Sequence, residues 1–182
     1  MNQEKIENLI EQSKLHNKIA FRQLVEICQP FVYRIAFRLL CNKEEAEDIV
    51  QESFIKVWLN LHKYNYQNRF STWLYKITCN LCYDKLRSMK LSPSTPLVSV
   101  DLSELMIPDE CDIEKTIINK ELIKLITAIT YNLPPKQRIV FTLKDIEGLE
   151  VNEISEITGL SKAKIKSNLY LAREYIRKRV KN

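Results

Sequence analysis

Apolar residues along this chain recur at spacings of three and four, and no long stretch alternates apolar with polar at period two. That pattern predicts helices throughout and places the chain in the all-α class. In the first block, Ala20, Phe21, Leu24, Ile27, Phe31, Ile35, Leu39 and Leu40 form one long stripe, which Pro30 is expected to bend. Asn42 reads as an N-cap, with Glu44 and Glu45 in the first turn where the helix dipole favours acid. The helix it opens runs over 43–61 and turns Ala46, Ile49, Val50, Val57 and Leu61 inward. After a polar, aromatic loop at 62–70, Ser71 is expected to cap a helix carrying Trp73, Leu74, Ile77, Leu81 and Leu86. Residues 89–112 lose the helical stripe, hold three prolines and several serines, and read as a linker. The second block, 113–182, opens with a helix to about Tyr131. Leu133-Pro134-Pro135 breaks it and starts the next, which carries Ile139, Val140, Leu143 and Ile146 and stops at Gly148. A short segment with Val151, Ile154 and Ile157 then enters Thr158-Gly159-Leu160-Ser161. Beyond it a longer helix sets Ile165, Leu169, Ala172, Ile176 and Val180 on one face. Helix, tight turn, longer helix is the helix-turn-helix pattern, with Gly159 as a left-handed C-cap and Ser161 as the next N-cap. The expected architecture is two small helical domains, 1–88 and 113–182, joined by a flexible linker at 89–112.

Charge sharpens this picture. The net charge of +5 is modest, but it is segregated. From Ser161 to Asn182 eight Lys or Arg oppose Glu174 alone, a net +7. From Lys63 to Lys90 six bases oppose Asp84, a net +5, whereas Ser88 to Ile118 carries a net −4. Two basic helical surfaces separated by an acidic linker are what duplex phosphates attract. The linker itself is either a solvated spacer or an acidic imitation of nucleic acid. No apolar run approaches the ~20 residues that span a bilayer, since Arg34 and Arg38 interrupt the best candidate. The N-terminal residues lack a signal-peptide layout, so a cytoplasmic protein without membrane insertion is expected.

Candidate chemistry is sparse. No phosphate-binding glycine loop is present, and neither His16 nor His62 stands in a metal or triad spacing. The expectation is a non-enzyme without cofactor or metal. Cys79 and Cys82 form a CxxC inside a helix, with no second pair to complete a zinc site; they read as small core side chains or as a redox pair. Asp48, Gln51 and Glu52 project together from one helix at i, i+3 and i+4, either as a solvated face or as a dock for a basic partner. The loop residues Tyr64, Tyr66, Asn68 and Arg69, with Phe70 and Trp73, suit stacking on unpaired bases; the alternative for Phe70 and Trp73 is that they close the loop as core.

Four segments carry a resemblance: AEDIVQESFIKVW (46–58), FSTWLYKITCNLCYDKLR (70–87), LPPKQRIVFTLKDIEGL (133–149) and NEISEITGLSKAKIKSNLYLAR (152–173). Together they closely resemble the two domains of extracytoplasmic-function sigma factors of bacterial RNA polymerase. The resemblance implies a four-helix N-terminal domain that binds the polymerase clamp coiled coil and melts the promoter −10 element. It implies a C-terminal domain that contacts the polymerase flap and reads the −35 element. Carried over by position, Asp48, Gln51, Glu52, Phe54 and Trp58 face the clamp. Tyr64, Tyr66, Asn68, Arg69, Phe70, Trp73, Lys76, Asn80 and Arg87 meet the −10 region. Lys162, Lys164, Lys166, Ser167, Asn168 and Arg173 meet the −35 element. Family members are usually monomers held by an anti-sigma factor. Where they often read S-R-L-H-R-A-R, this chain has Ser167-Asn168-Leu169-Tyr170-Leu171-Ala172-Arg173, and Glu150 stands where a capping Ser is common. The implied function is a dissociable promoter-specificity factor for transcription initiation. The rivals are a stand-alone helix-turn-helix regulator and a sigma-like protein that occupies polymerase without initiating.

Overall fold

The computed structural model describes residues 3–91 and 129–180; most of the predicted linker and most of the helix after it lie outside them, while 89–91, expected in the linker, belong to the helix before it. Among the described residues the fold is helical, with no strand. The first block contains α1 (Gln3–Lys14), α2 (Lys18–Leu40), α3 (Lys43–Asn60), a 3-10 turn (Leu61–Lys63) and α4 (Phe70–Leu91). The second contains α5 (Pro135–Phe141), which widens into a π turn (Thr142–Ile146), then α6 (Val151–Thr158) and α7 (Lys162–Val180).

Local chemistry accounts for most of the boundaries. Asn17 opens α2, its Oδ1 accepting from the Ile19 and Ala20 N–H groups at 3.0 and 3.1 Å. Asn42 opens α3, accepting from the Glu45 N–H at 2.9 Å. Between them Cys41 ends α2 in the left-handed region, φ 55°, and donates its N–H to the Phe37 carbonyl. Helix α2 runs unbroken through Pro30, whose ring faces solvent, so the carbonyl that loses its partner there can turn to water. Pro134 and Pro135 start α5 as expected, with Pro135 in its first turn.

Two expectations are corrected. Helix α4 begins at Phe70, so Ser71 lies inside its first turn; the Arg69 carbonyl already accepts the Trp73 N–H at 3.2 Å. Burial of the Phe70 ring draws the start two residues earlier than a Ser71 cap would have placed it. Ile146 is exposed, because the π turn ends with the Glu147 N–H on the Thr142 carbonyl at 2.9 Å and swings this position off the core stripe.

Two apolar cores result. One joins α1 to the first half of α2, the second half of α3 and the start of α4 around Leu24, Val32, Val57 and Leu61. The other begins in the first block, with Ile35, Leu39, Leu40, Ala46, Cys79 and Cys82, and continues without a break into Ile139, Leu143, Ile154, Ile157, Ile165 and Leu169 of the second. The two blocks are thus packed face to face, chiefly through α4 against α5 and α6.

Candidate nucleic-acid interface and the seam between the blocks

The helix-turn-helix is built from residues close in sequence. Gly159 takes φ 69° and gives its N–H to the Ser155 carbonyl at 2.9 Å. Ser155 Oγ donates to the Leu160 carbonyl at 2.8 Å, and Ser161 Oγ accepts from the Lys164 N–H at 3.4 Å. Glu150, expected to cap α6 weakly, is helped by Glu153, whose Oε2 accepts the Glu150 N–H at 3.0 Å. A Cβ at Gly159 would meet no atom within 4 Å, so the backbone angle alone selects glycine there. Gly159→Ala is expected to lower unfolding free energy by about 1–2 kcal/mol, the cost of a left-handed L-residue. Urea denaturation checks this, and an unchanged midpoint would contradict it.

With Ile165, Leu169 and Ala172 buried, α7 presents Lys162, Lys164, Lys166, Ser167, Tyr170, Leu171 and Arg173 outward. Asn168 is half-buried, its Nδ2 donating to the Lys164 carbonyl at 2.7 Å, which leaves its carbonyl oxygen to face outward chemistry. Arg173 is held by Asp145 in a two-pronged pair at 2.9 and 2.5 Å. A phosphate at Arg173 would therefore have to displace a carboxylate, whereas the three lysines carry no such partner in the described residues.

On α4, Lys76, Asn80 and Arg87 are exposed at spacings of four and seven and form one stripe. Tyr75, Cys79, Cys82 and Leu86 form another, buried stripe on the same helix, packed into the core shared by the blocks. The aromatic loop is more closed than its composition suggested. Tyr64 and Phe70 are buried, while Tyr64 donates its O–H to the Asn68 carbonyl at 2.8 Å. Tyr66 sits in the left-handed region at φ 61°, hydrogen-bonded to Glu11, with the Lys14 ammonium 4.3 Å from its ring centre. Trp73 is half-buried between Tyr64 and Phe70. A base could reach Tyr66, Asn68 or Arg69 directly, but Tyr64 and Phe70 only after the loop rearranges.

Asp48, Gln51 and Glu52 are exposed together on α3, as their spacing required, and Glu52 pairs with Lys56 at 3.3 Å. Phe54 is buried, and Trp58 is half-buried against Phe21 with ring centres 4.7 Å apart. Beside them Ile55 and Leu59 are 58% and 62% exposed and border an apolar groove with Lys18 and Phe21. Sequence reasoning passed over this pair, although its i, i+4 spacing off the core stripe was a usable signal.

The seam between the blocks has two polar knots that no sequence motif announced. Glu147 is 5% exposed at its side chain and receives Arg38, Arg34 at 3.8 Å, and the Tyr75 O–H at 2.9 Å. Burial, and then the Glu147 charge, push the Tyr75 phenol well above its usual range. Arg138, only 2% exposed, points Nη2 at Cys41 Sγ, 2.6 Å away, and Nη1 at the Tyr131 carbonyl, 3.4 Å away. Burial lowers the Arg138 pKa and raises that of Cys41, which Arg138 partly offsets. Cys79 and Cys82 are buried in the same seam, and burial pushes the Cys79 thiol up to about 12, so both are protonated, unreactive core groups in this arrangement. Among the described residues no group of His, Cys, Asp and Glu is arranged to hold a metal.

A helix-turn-helix with a basic second helix, and another basic helix on the same chain, has the layout of a DNA-binding protein. The chain matches the models for Sigma-70 region 2 over residues 24–91 and for Sigma-70, region 4 over residues 125–176. It is 31% identical over 182 residues to the ECF RNA polymerase sigma factor SigW of Bacillus subtilis (strain 168), covering 97% of each chain. It is also 27% identical over 177 residues to the ECF RNA polymerase sigma-E factor of Haemophilus influenzae, covering 94% of this chain and 93% of that one. The chain belongs to the ECF sigma factors, promoter-specific initiation factors of RNA polymerase. Its fold is shared with CnrH, solved in complex with the cytosolic domain of CnrY, at a TM-score of 0.65 and 19% identity over 97% of each chain. It is shared as well with the sigma factor RpoE of Bartonella quintana, solved with the anti-sigma factor NepR, at a TM-score of 0.64 and 21% identity over 88% of this chain and 96% of that one.

Proposed function

We propose that this sigma factor binds core RNA polymerase through α3 and reads its promoter with two surfaces, α4 with the loop before it at the −10 element and α7 at the −35 element. The observation that carries this reading is one chain holding both sigma regions in order, each with an exposed basic stripe. Asp48, Gln51 and Glu52 offer carboxylates and an amide to a basic clamp surface, and Ile55, Trp58 and Leu59 continue that face with apolar area to bury. At the −10 element, Lys76, Asn80 and Arg87 track the backbone while Tyr66, Asn68 and Arg69 are the groups placed to meet an unstacked base, whose stacking contributes ~1–3 kcal/mol. At the −35 element, Lys162, Lys164 and Lys166 supply phosphate contacts and Ser167 and Asn168 reach base edges. The working units are 1–88 and 113–182 on the tether 89–112. The factor acts as a non-catalytic subunit in the cytoplasm; among the described residues no helix is long and apolar enough to cross a membrane. The Bartonella relative was solved with an anti-sigma factor, and a regulator of that kind is the expected partner of this chain too.

Run-off transcription with core polymerase tests the reading, and a promoter-specific transcript dependent on this chain is expected. DNA binding with no transcript under any promoter would overturn it. Asp48→Ala, at an exposed site, should leave the melting temperature unchanged and weaken association with core polymerase about ten-fold, the scale of one lost charged interface contact. Equal affinity for both proteins, by titration of labelled chain with core enzyme, would remove Asp48 from the interface.

A further inference from the structure

We infer that the free chain is self-docked, and that Glu147 is the latch that holds its two DNA-reading units closed. The inference rests on the sigma-factor reading for its consequence, but not for its physics. The core shared by α2, α4, α5, α6 and α7 is apolar and would by itself let the units slide. Glu147 removes that freedom. Its carboxylate comes from the second block, and every group it engages comes from the first: Arg34 and Arg38, one turn apart on α2, and the Tyr75 hydroxyl on α4. Tyr75 is itself set by an edge contact with Phe31, ring centres 4.6 Å apart. Arg138 adds a second contact in the same sense, from the second block onto Cys41 at the end of α2. Two separate polar knots, one anionic and one cationic, across one shared apolar core define a single register rather than a loose association.

Length decides what this closed form can do. A compact body of about 140 residues has a radius of gyration near 14 Å and is therefore roughly 40 Å across. Promoter elements centred about 25 base pairs apart on B-DNA are separated by roughly 85 Å at ~3.4 Å per pair. The closed chain cannot touch both. The outer face of α7 is open in this state, whereas the Tyr75–Leu86 stripe of α4 is covered by α5 and α6. The Lys76, Asn80 and Arg87 stripe stays exposed, so each reader is open singly, and it is reading both elements at once that requires the latch to open.

Small-angle scattering of the full-length free chain tests the latch without any appeal to transcription. The closed protein should give a radius of gyration of about 16 Å, and an open pair of units on the tether 89–112 about 25 Å. Glu147→Lys places a third cation against Arg34 and Arg38 and should shift the chain toward the larger value with its helical circular dichroism retained. The double variant Arg38→Glu with Glu147→Lys restores opposite charges and should return it toward the smaller one. An extended wild type, or a Glu147→Lys protein that stays folded and as compact as wild type, would overturn the latch. So would a double variant no more compact than the single one. Run-off transcription on the same proteins separates the two ideas: opening on Glu147→Lys upholds the latch, and it does so even if no protein yields a transcript, in which case the sigma reading is what fails.

Discussion

Replacing Lys162, Lys164 and Lys166 together by alanine is expected to cut the salt dependence of DNA binding more than any other change in the chain. Each lysine is exposed on the first two turns of α7, and none is paired among the described residues. A phosphate contact contributes about 0.9 to the slope of log affinity against log salt, so three lost contacts lower it by roughly 2.7. Between 50 and 200 mM salt that amounts to about a 40-fold smaller loss of affinity, from a weaker starting point. Alanine is the better helix former, and the Ser161 cap acts on the Lys164 backbone N–H, so the recognition helix should persist. Fluorescence anisotropy with a labelled promoter duplex over a salt series measures the slope. A slope unchanged within error would place DNA on another face.

The second large effect concerns stability. Leu143 is fully buried in the core that spans both blocks, and truncating a buried leucine costs about 2–5 kcal/mol. Leu143→Ala should lower the unfolding free energy by that amount in urea, followed by circular dichroism. Because the core is continuous, wild-type unfolding should proceed as one transition rather than two. A loss below about 0.5 kcal/mol, or two well-separated wild-type transitions, would mean that the blocks do not share this core in solution.

The features legible in sequence share one property, which is that their partners lie within a turn. Asn42 and Glu45, Gly159 and Ser155, and Ser161 and Lys164 are all within four residues of each other, so backbone chemistry alone dictates the contact. The same holds for the Asp48, Gln51 and Glu52 face, where helical spacing guarantees a common direction. Ser71 failed as a cap because a non-local demand, burial of Phe70 in the core that α1, α2 and α3 also build, outweighed the local preference of a hydroxyl. The polar neighbours of Tyr64 imply a ring available to bases, yet it is buried in the core that α1 and α2 also build. The seam was invisible for the same reason carried further: Arg38 and Glu147 are 109 residues apart, and Arg138 and Cys41 are 97. Nothing in the spacing of any of the four residues marks them.

The π turn at Thr142–Ile146 gives the seam a dependence on chain count as well as chemistry. A π turn holds one residue more than the α-turn it replaces, and each helical residue advances the side-chain direction by about 100°. Forcing the same residues into α geometry, with none deleted, would carry the chain about one residue's step further round the axis and would turn Glu147 away from Arg34, Arg38 and Tyr75. Such a chain would keep every side chain that forms the latch, and its exposed α7 lysines, yet its two units would be out of phase.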